Sequence, residues 1–113
     1  QRLMRKIPQG MARELIYTGE PIPAEEALRL GLVNKITEPD ALLDACLATA
    51  QKILARSHIA VASAKKTMLH GAEVSLPHGC TAEISTFAML FSSDHPREGV
   101  SAFLEKRDPQ FKK

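Results

Sequence analysis

The sequence has no tryptophan, one tyrosine and four phenylalanines in 113 residues. So few rings, with no basic residues interleaved among them, make a poor stacking surface for bases. The net charge of +2 is too small a field to argue for a nucleic-acid partner. No apolar run approaches the roughly 20 residues that a membrane-spanning helix needs. The two cysteines, Cys46 and Cys80, are not spaced as a metal-binding pair. Free thiols in a reducing compartment are the expectation for them. Neither sits at a helix start or in a basic cluster that would make a reactive thiolate, and Cys46 reads as core packing. His58, His70, His78 and His95 fall at irregular spacings with no paired carboxylate pattern, so surface or boundary positions are expected and no metal site. There is no internal repeat and no low-complexity tract. The length suits one domain. The chain opens on Gln1-Arg2-Leu3-Met4-Arg5, without an initiator methionine and already in a helical pattern, which leads us to expect a fragment.

What is present is a series of helix starts and stops. The fullest is Pro21 to Ile36. Pro23 sits where a helix begins, since its missing N–H is an orphan there anyway. Glu25 and Glu26 fall in the first turn, near the positive end of the helix dipole. Glu25 and Arg29, four apart, are expected to pair. Gly31 is the stop, because glycine enters the left-handed cap without penalty. Leu32 to Ile36, with Val33 and Ile36 around Asn34 and Lys35, reads as a short strand. A lone strand has no partner, so its backbone groups would have to pair outside these residues.

Upstream, Gln1 to Ile7 is a short amphipathic segment broken by Pro8-Gln9-Gly10. Met11 to Tyr17 is a helix with Met11, Ala12, Leu15 and Ile16 on one side. Downstream, Asp40 is placed to cap a helix running from Ala41 to about Arg56. Leu43, Cys46, Leu47, Ala50, Ile53 and Leu54 would form its buried face. Ser57-His58 breaks the run, and Ile59 to His70 forms another helix, with Val61, Ala64 and Met68 or Leu69 inside and Lys65-Lys66 solvated. Gly71 stops it. Val74 to Gly79, with Pro77 and Gly79, reads as a connection. Thr81 to Phe91 is helical, with Ile84, Phe87, Ala88 and Phe91 as its apolar stripe. Ser92-Ser93-Asp94 ends it and caps a last helix with Pro96, Arg97 and Glu98 in the first turn. Val100, Phe103 and Leu104 form that helix's apolar face, Asp108-Pro109 its end, and Gln110 to Lys113 a tail.

Glu14-Leu15-Ile16-Tyr17-Thr18-Gly19, followed by Ala24-Glu25-Glu26-Ala27-Leu28-Arg29-Leu30-Gly31-Leu32-Val33-Asn34, resembles the enoyl-CoA hydratase/isomerase (crotonase) superfamily. Arg97-Glu98-Gly99-Val100-Ser101-Ala102-Phe103-Leu104-Glu105-Lys106-Arg107-Asp108-Pro109-Gln110-Phe111 is similar to that superfamily's C-terminal signature. Gln1-Arg2-Leu3 resembles a segment late in its catalytic half. The resemblance implies a mostly α segment of an α/β fold built as a superhelix of ββα units. Residues 1–37 would end the spiral core, and residues 38–113 would form the helical region that makes a trimer or dimer of trimers.

The activity implied is hydration of a trans-2-enoyl-CoA to the 3-hydroxyacyl-CoA, or the reverse, in acyl-CoA metabolism. An isomerase, a hydrolase or a decarboxylase of the same superfamily is the alternative, as is a non-catalytic helical interaction module. The family's two glutamates and its oxyanion-hole N–H groups would lie upstream, so no catalytic residue is assigned here. Glu25 and Glu26 point about 100° apart on a helix and cannot flank one water. Glu83 reads as a helix contact or solvated, and Tyr17 as a core-edge residue. No cofactor is implied beyond CoA as part of the substrate. The resemblance implies one functional site in these residues: in the superfamily's hexameric hydratases the adenine end of CoA packs against the last helix of a neighbouring subunit, at positions matched here by Phe103 and Lys106. They are three apart and share a helix face, a ring to stack and an ammonium for a phosphate. Arg107 would be a weaker second cation. Partners would be the acyl-CoA and further copies of the chain, with no nucleic acid and no membrane, in the cytoplasm or an organelle matrix.

Overall fold

The structure, a computed structural model, describes residues 1–111. They form six helices: α1 (Gln9–Thr18), α2 (Ala24–Arg29), α3 (Leu42–Leu54), α4 (His58–Gly71), α5 (Leu76–Leu90) and α6 (His95–Glu105). Short 3-10 turns cover Leu3–Arg5 and Pro39–Ala41. Among the described residues there is no strand. The mostly α character expected of the chain is therefore borne out. The chain divides into two compact units, Gln1–Ala45 and Cys46–Lys113.

In the first unit, Pro8 is extended and α1 starts directly after it. Ile7, Ala12 and Ala27 are its buried apolar side chains. Gly19 closes α1 in the left-handed region, at φ +70°. Tyr17 at the helix end is exposed rather than at a core edge. Gly31 closes α2 at φ +74°. Its N–H bonds the Leu28 carbonyl, and the next N–H, of Leu32, reaches back to Ala27 at 2.9 Å. That pair of bonds is a Schellman cap. An alanine at Gly31 would meet no atom within 4 Å, so its cost, about 1–2 kcal/mol, would come from the backbone alone.

The same cap removes the expected strand. Leu32 and Val33 both turn their N–H groups onto the Ala27 carbonyl, and residues 32–34 bend. Those donors are used on the helix end, and no second strand is present to offer a ladder. The expected Glu25–Arg29 pair is also replaced. Arg29 instead grips Glu26, three residues back, with Nε 2.7 Å from Oε2. The pairing lowers the Glu26 carboxyl below its ordinary range. Asp40 lies inside the turn Pro39–Ala41 that leads into α3, not outside the helix as a flanking cap.

In the second unit, Ser57 caps α4, its Oγ accepting from the Ala60 N–H at 3.2 Å. His58 is thus the first residue of the helix rather than part of a break. The segment expected to connect α4 and α5 is helical from Leu76. Proline in a first turn loses no intrahelical bond, and Gly79 lies where the two helices approach. A Cβ there would stand 3.6 Å from the Gly71 Cα.

The α4–α5 hairpin packs through small side chains. Half-buried positions recur at Ala60, Ser63, Thr67 and Gly71 on α4, and at Gly79, Ala82, Thr86 and Leu90 on α5. The apolar stripes expected inside are outside. Ile84 is 70% exposed, Phe87 and Phe91 meet edge-on in the open, and Met68 and Leu69 are exposed. On α3, Leu43, Cys46, Leu47, Ile53 and Leu54 are exposed too. These faces have the helical spacing of a buried stripe, but they stay open among the described residues.

Candidate functional site

The first residues of α6 are set by the end of α5. Ser92 and Ser93 donate their hydroxyls back to the carbonyls of Met89 and Leu90, at 2.7 and 2.8 Å. They finish α5 rather than cap α6. Asp94 precedes α6 without a side-chain cap bond, and Pro96 occupies the first turn. One face of α6 is covered: Ala102 is fully buried, and Glu98, Gly99 and Ser101 are half-buried. Val100, Phe103 and Leu104 lie on the uncovered side, with Phe103 82% exposed.

The helix ends on Lys106 in the left-handed region, φ +54° and ψ +40°. Its N–H bonds the Phe103 carbonyl at 3.3 Å, and the Arg107 N–H bonds the Ala102 carbonyl at 3.0 Å. This is the bond pattern seen at Gly31, built here on a lysine. A non-glycine residue pays about 1–2 kcal/mol for that conformation, so other contacts must hold it.

Those contacts are a clasp formed by the residues after the helix. The Arg107 guanidinium donates to both oxygens of Glu98, Nη1 to Oε1 at 2.6 Å and Nη2 to Oε2 at 3.0 Å. Its Nε donates to Glu105 Oε2 at 2.6 Å. The Gln110 backbone N–H donates to Glu98 Oε1, also at 2.6 Å. The guanidinium, with help from that N–H, holds the Glu98 carboxyl down at about 2, from an ordinary 4.5. Arg107 in turn is held protonated more firmly than a free arginine, by Glu98 and then Glu105.

Beyond Arg107, the Phe111 ring stacks on His95 with centroids 5.3 Å apart and planes 19° from parallel. His95 Nδ1 shares a 2.7 Å hydrogen bond with Ser57 Oγ, and His58 meets His95 edge-on. Ser57 is buried. The tail is thereby tied to the start of α6 and to the cap of α4.

Phe103 lies in the last turn of α6 and Lys106 just beyond it, at the left-handed cap, both exposed; the helix face the two were expected to share is broken where Lys106 leaves the helical conformation. A reading of Phe103 as core is excluded within this chain. Arg107 is not a free second cation, because two carboxylates hold it. Glu83 and Glu25 are exposed. Among the described residues, no group of three or more His, Cys, Asp or Glu could hold a metal ion. No helix there is long and apolar enough to cross a membrane.

The clasp was not found from the sequence. Glu98 and Arg107 are nine apart, outside helical pair spacing, and meet only because the chain reverses at Lys106. Pro109 shortly after the helix was the one signal of such a stop. His95, expected at a surface or boundary position, is half-buried there and joins three contacts, to Ser57, His58 and Phe111.

The chain was compared with known proteins. The profile of the family described as Enoyl-CoA hydratase/isomerase matches residues 1–113. A crotonyl-CoA hydratase of Syntrophomonas wolfei is 38% identical over 111 residues, covering 98% of this chain and 43% of that protein. A 2,3-dehydroadipyl-CoA hydratase of Escherichia coli is 36% identical over 112 residues, with 99% and 44% covered. The crystal structure of an enoyl-CoA hydratase from Bacillus anthracis superposes with a TM-score of 0.95 at 38% identity, over 99% of this chain and 43% of that one. The chain spans about two-fifths of the length of these relatives. With a match along its whole length and the same helical architecture, the chain belongs to the enoyl-CoA hydratase/isomerase family.

Proposed function

We propose that this chain is the C-terminal part of an enoyl-CoA hydratase. The whole protein would hydrate a trans-2-enoyl-CoA to the 3-hydroxyacyl-CoA, or run the reverse dehydration. The names of its relatives, crotonyl-CoA and 2,3-dehydroadipyl-CoA hydratases, support that reaction. Residues 1–37 would close the catalytic spiral and residues 38–113 would form its oligomerisation region, in a trimer or dimer of trimers. The observation that carries this reading is the combination of a full-length family match with apolar faces left open on α3, α5 and α6. A free-standing helical module would have to cover those faces itself.

The local chemistry fits a supporting part rather than a reactive one. A general base works best with a pKa near the working pH. Glu98, at about 2 and gripped by Arg107, is far from it. Glu26 is likewise paired and lowered. The reacting carboxylates and the two N–H donors for the enolate oxygen would come from the rest of the protein. This chain would supply Phe103 as a stacking face for adenine and Lys106 as the partner of a CoA phosphate. CoA is then part of the substrate and no separate cofactor is called for. The expected location is the cytoplasm, or an organelle matrix in a eukaryote.

The test is steady-state kinetics of the full-length protein with an enoyl-CoA. Phe103→Ala combined with Lys106→Ala should raise KM by about tenfold, the scale of a lost charged hydrogen bond, and lower kcat much less. An unchanged KM would remove the coenzyme assignment.

A further inference from the structure

Among the described residues Lys106 is the one non-glycine with positive φ. Both other left-handed positions, Gly19 and Gly31, are glycines that close helices. At the end of α6 a glycine would do the same without strain. The chain instead keeps a side chain there and surrounds it with ion pairs. On one side, the Phe103 carbonyl holds the Lys106 N–H and the Ala102 carbonyl holds that of Arg107. On the other, the Arg107 side chain is locked to Glu98 by a two-pronged grip and to Glu105 by Nε. A planar guanidinium held at three nitrogens has little freedom to rotate. The Gln110 N–H on Glu98 and the Phe111 ring on His95 then fix the chain beyond. Lys106 is therefore trapped between two anchored points.

We propose that the clasp of Glu98, Arg107 and Gln110 is a positioning device that holds Lys106 in the left-handed conformation and so fixes where its ammonium can meet a CoA phosphate. This rests on the coenzyme reading above. Glu98 and Arg107 touch no substrate in it; they act through residue 106. The device explains why the ion pairs described in the second unit stand at an exposed helix end, where an isolated surface pair contributes little to stability.

The test separates the two layers in the full-length protein. KM is measured for an enoyl thioester of CoA and for the same acyl group on pantetheine, which lacks the adenosine phosphate portion. The quantity read is the ratio of the first KM to the second, each set against the unmodified protein. Lys106→Ala, which tests the coenzyme contact itself, should raise the ratio about tenfold. Glu98→Gln and Arg107→Lys leave Lys106 chemically intact and should raise it about threefold, the fraction lost when a held contact becomes a mobile one. Loss of general stability alone would move both constants or kcat and leave the ratio where it was.

A normal ratio in Glu98→Gln and Arg107→Lys, with a raised one in Lys106→Ala, overturns the positioning role and leaves the coenzyme contact standing. A normal ratio in Lys106→Ala overturns that contact and the positioning role with it. Should Glu98→Gln fail to fold, Lys106→Gly supplies the second arm, because glycine takes the left-handed conformation without the clasp. In that background Arg107→Lys should add nothing to the ratio. A further rise would mean that Arg107 meets the ligand itself and would overturn the proposal.

Discussion

Expressed by itself, this chain should not behave as a stable monomer. Its accessible surface is 9655 Å². A folded monomer of its mass exposes about 6,100 Å² by the usual size scaling. Even two wholly separate domains, of the sizes of its two units, would expose only about 7,400 Å² between them. The excess over that more generous figure is about 2,300 Å², the order of what obligate interfaces bury. With a little over half of it apolar, at about 25 cal/mol per Å², the burial left unrealised is roughly 30 kcal/mol. A typical domain is stable by only about 5–15 kcal/mol, so the shortfall decides the outcome. The chain is predicted to run as heterogeneous or aggregated species in size exclusion with light scattering. It should bind a hydrophobic dye and show no sharp thermal transition by circular dichroism. Co-expression with the remainder of the protein should give one discrete assembly with a cooperative transition. A monodisperse monomer with a steep two-state melt would refute the reasoning, and with it the reading of the open faces as interfaces.

Two further outcomes follow from the clasp and its anchor. Glu98 has a folded-state pKa of about 2, depressed from 4.5 by Arg107 and the Gln110 N–H. The stability it contributes is therefore fully present above pH 4.5 and is lost as pH falls toward 2. In carbon-13 NMR of the glutamate-labelled full-length protein, the Glu98 carboxyl should titrate near 2, and markedly higher in Arg107→Gln, where only the Gln110 N–H remains to lower it. A midpoint near 4.5 in the unmodified protein would show that the grip does not form. Ser57→Ala removes a helix cap and the partner of His95 together. It should cost about 1–2 kcal/mol in denaturant unfolding of the full-length protein. The cost should add only in part to that of His95→Ala, because the two variants share one deleted bond; full additivity would mean that bond has no energetic weight.

Helix stops were legible because they are local. Gly31 sits where the chain must turn left-handed to leave a helix, and it does so. The strand at Leu32 to Ile36 was misread for the same local reason taken too far. Its apolar pattern is real, but a strand exists only with a partner, and the Schellman cap took the first two donors instead. Val74 to Gly79 was misread because proline and glycine mark loops in general, yet proline is also welcome in a helix's first turn and glycine where two helices touch. At the end of α6, Phe103 and Lys106 were singled out through the family resemblance alone, and the coenzyme contact stays a proposal. The clasp of Glu98, Arg107 and Gln110 was not legible, since it joins residues across a chain reversal and no periodicity reports that.

The apolar faces carry the last step. On α5, Ile84, Phe87, Ala88 and Phe91 have the spacing of a buried stripe, yet the hairpin packs through Gly79, Ala82, Thr86 and Leu90 on another side. On α6, Phe103 and Leu104 are open while Ala102 is buried. Small residues let backbones approach closely, so α4 and α5 can pack with Leu90 as the one large apolar side chain at those positions. Large apolar side chains at helical spacing then remain for a different surface. Periodicity records what is buried in the complete assembly, whereas exposure records only what this chain covers alone. Where the two disagree, on α3, α5 and α6 together, the disagreement maps the surfaces that other parts of the protein or other subunits are expected to cover. The end of α6 differs from the rest of that map. There Lys106 keeps a conformation that glycine would take more cheaply, one position past the helix, and packing of apolar faces does not explain that choice.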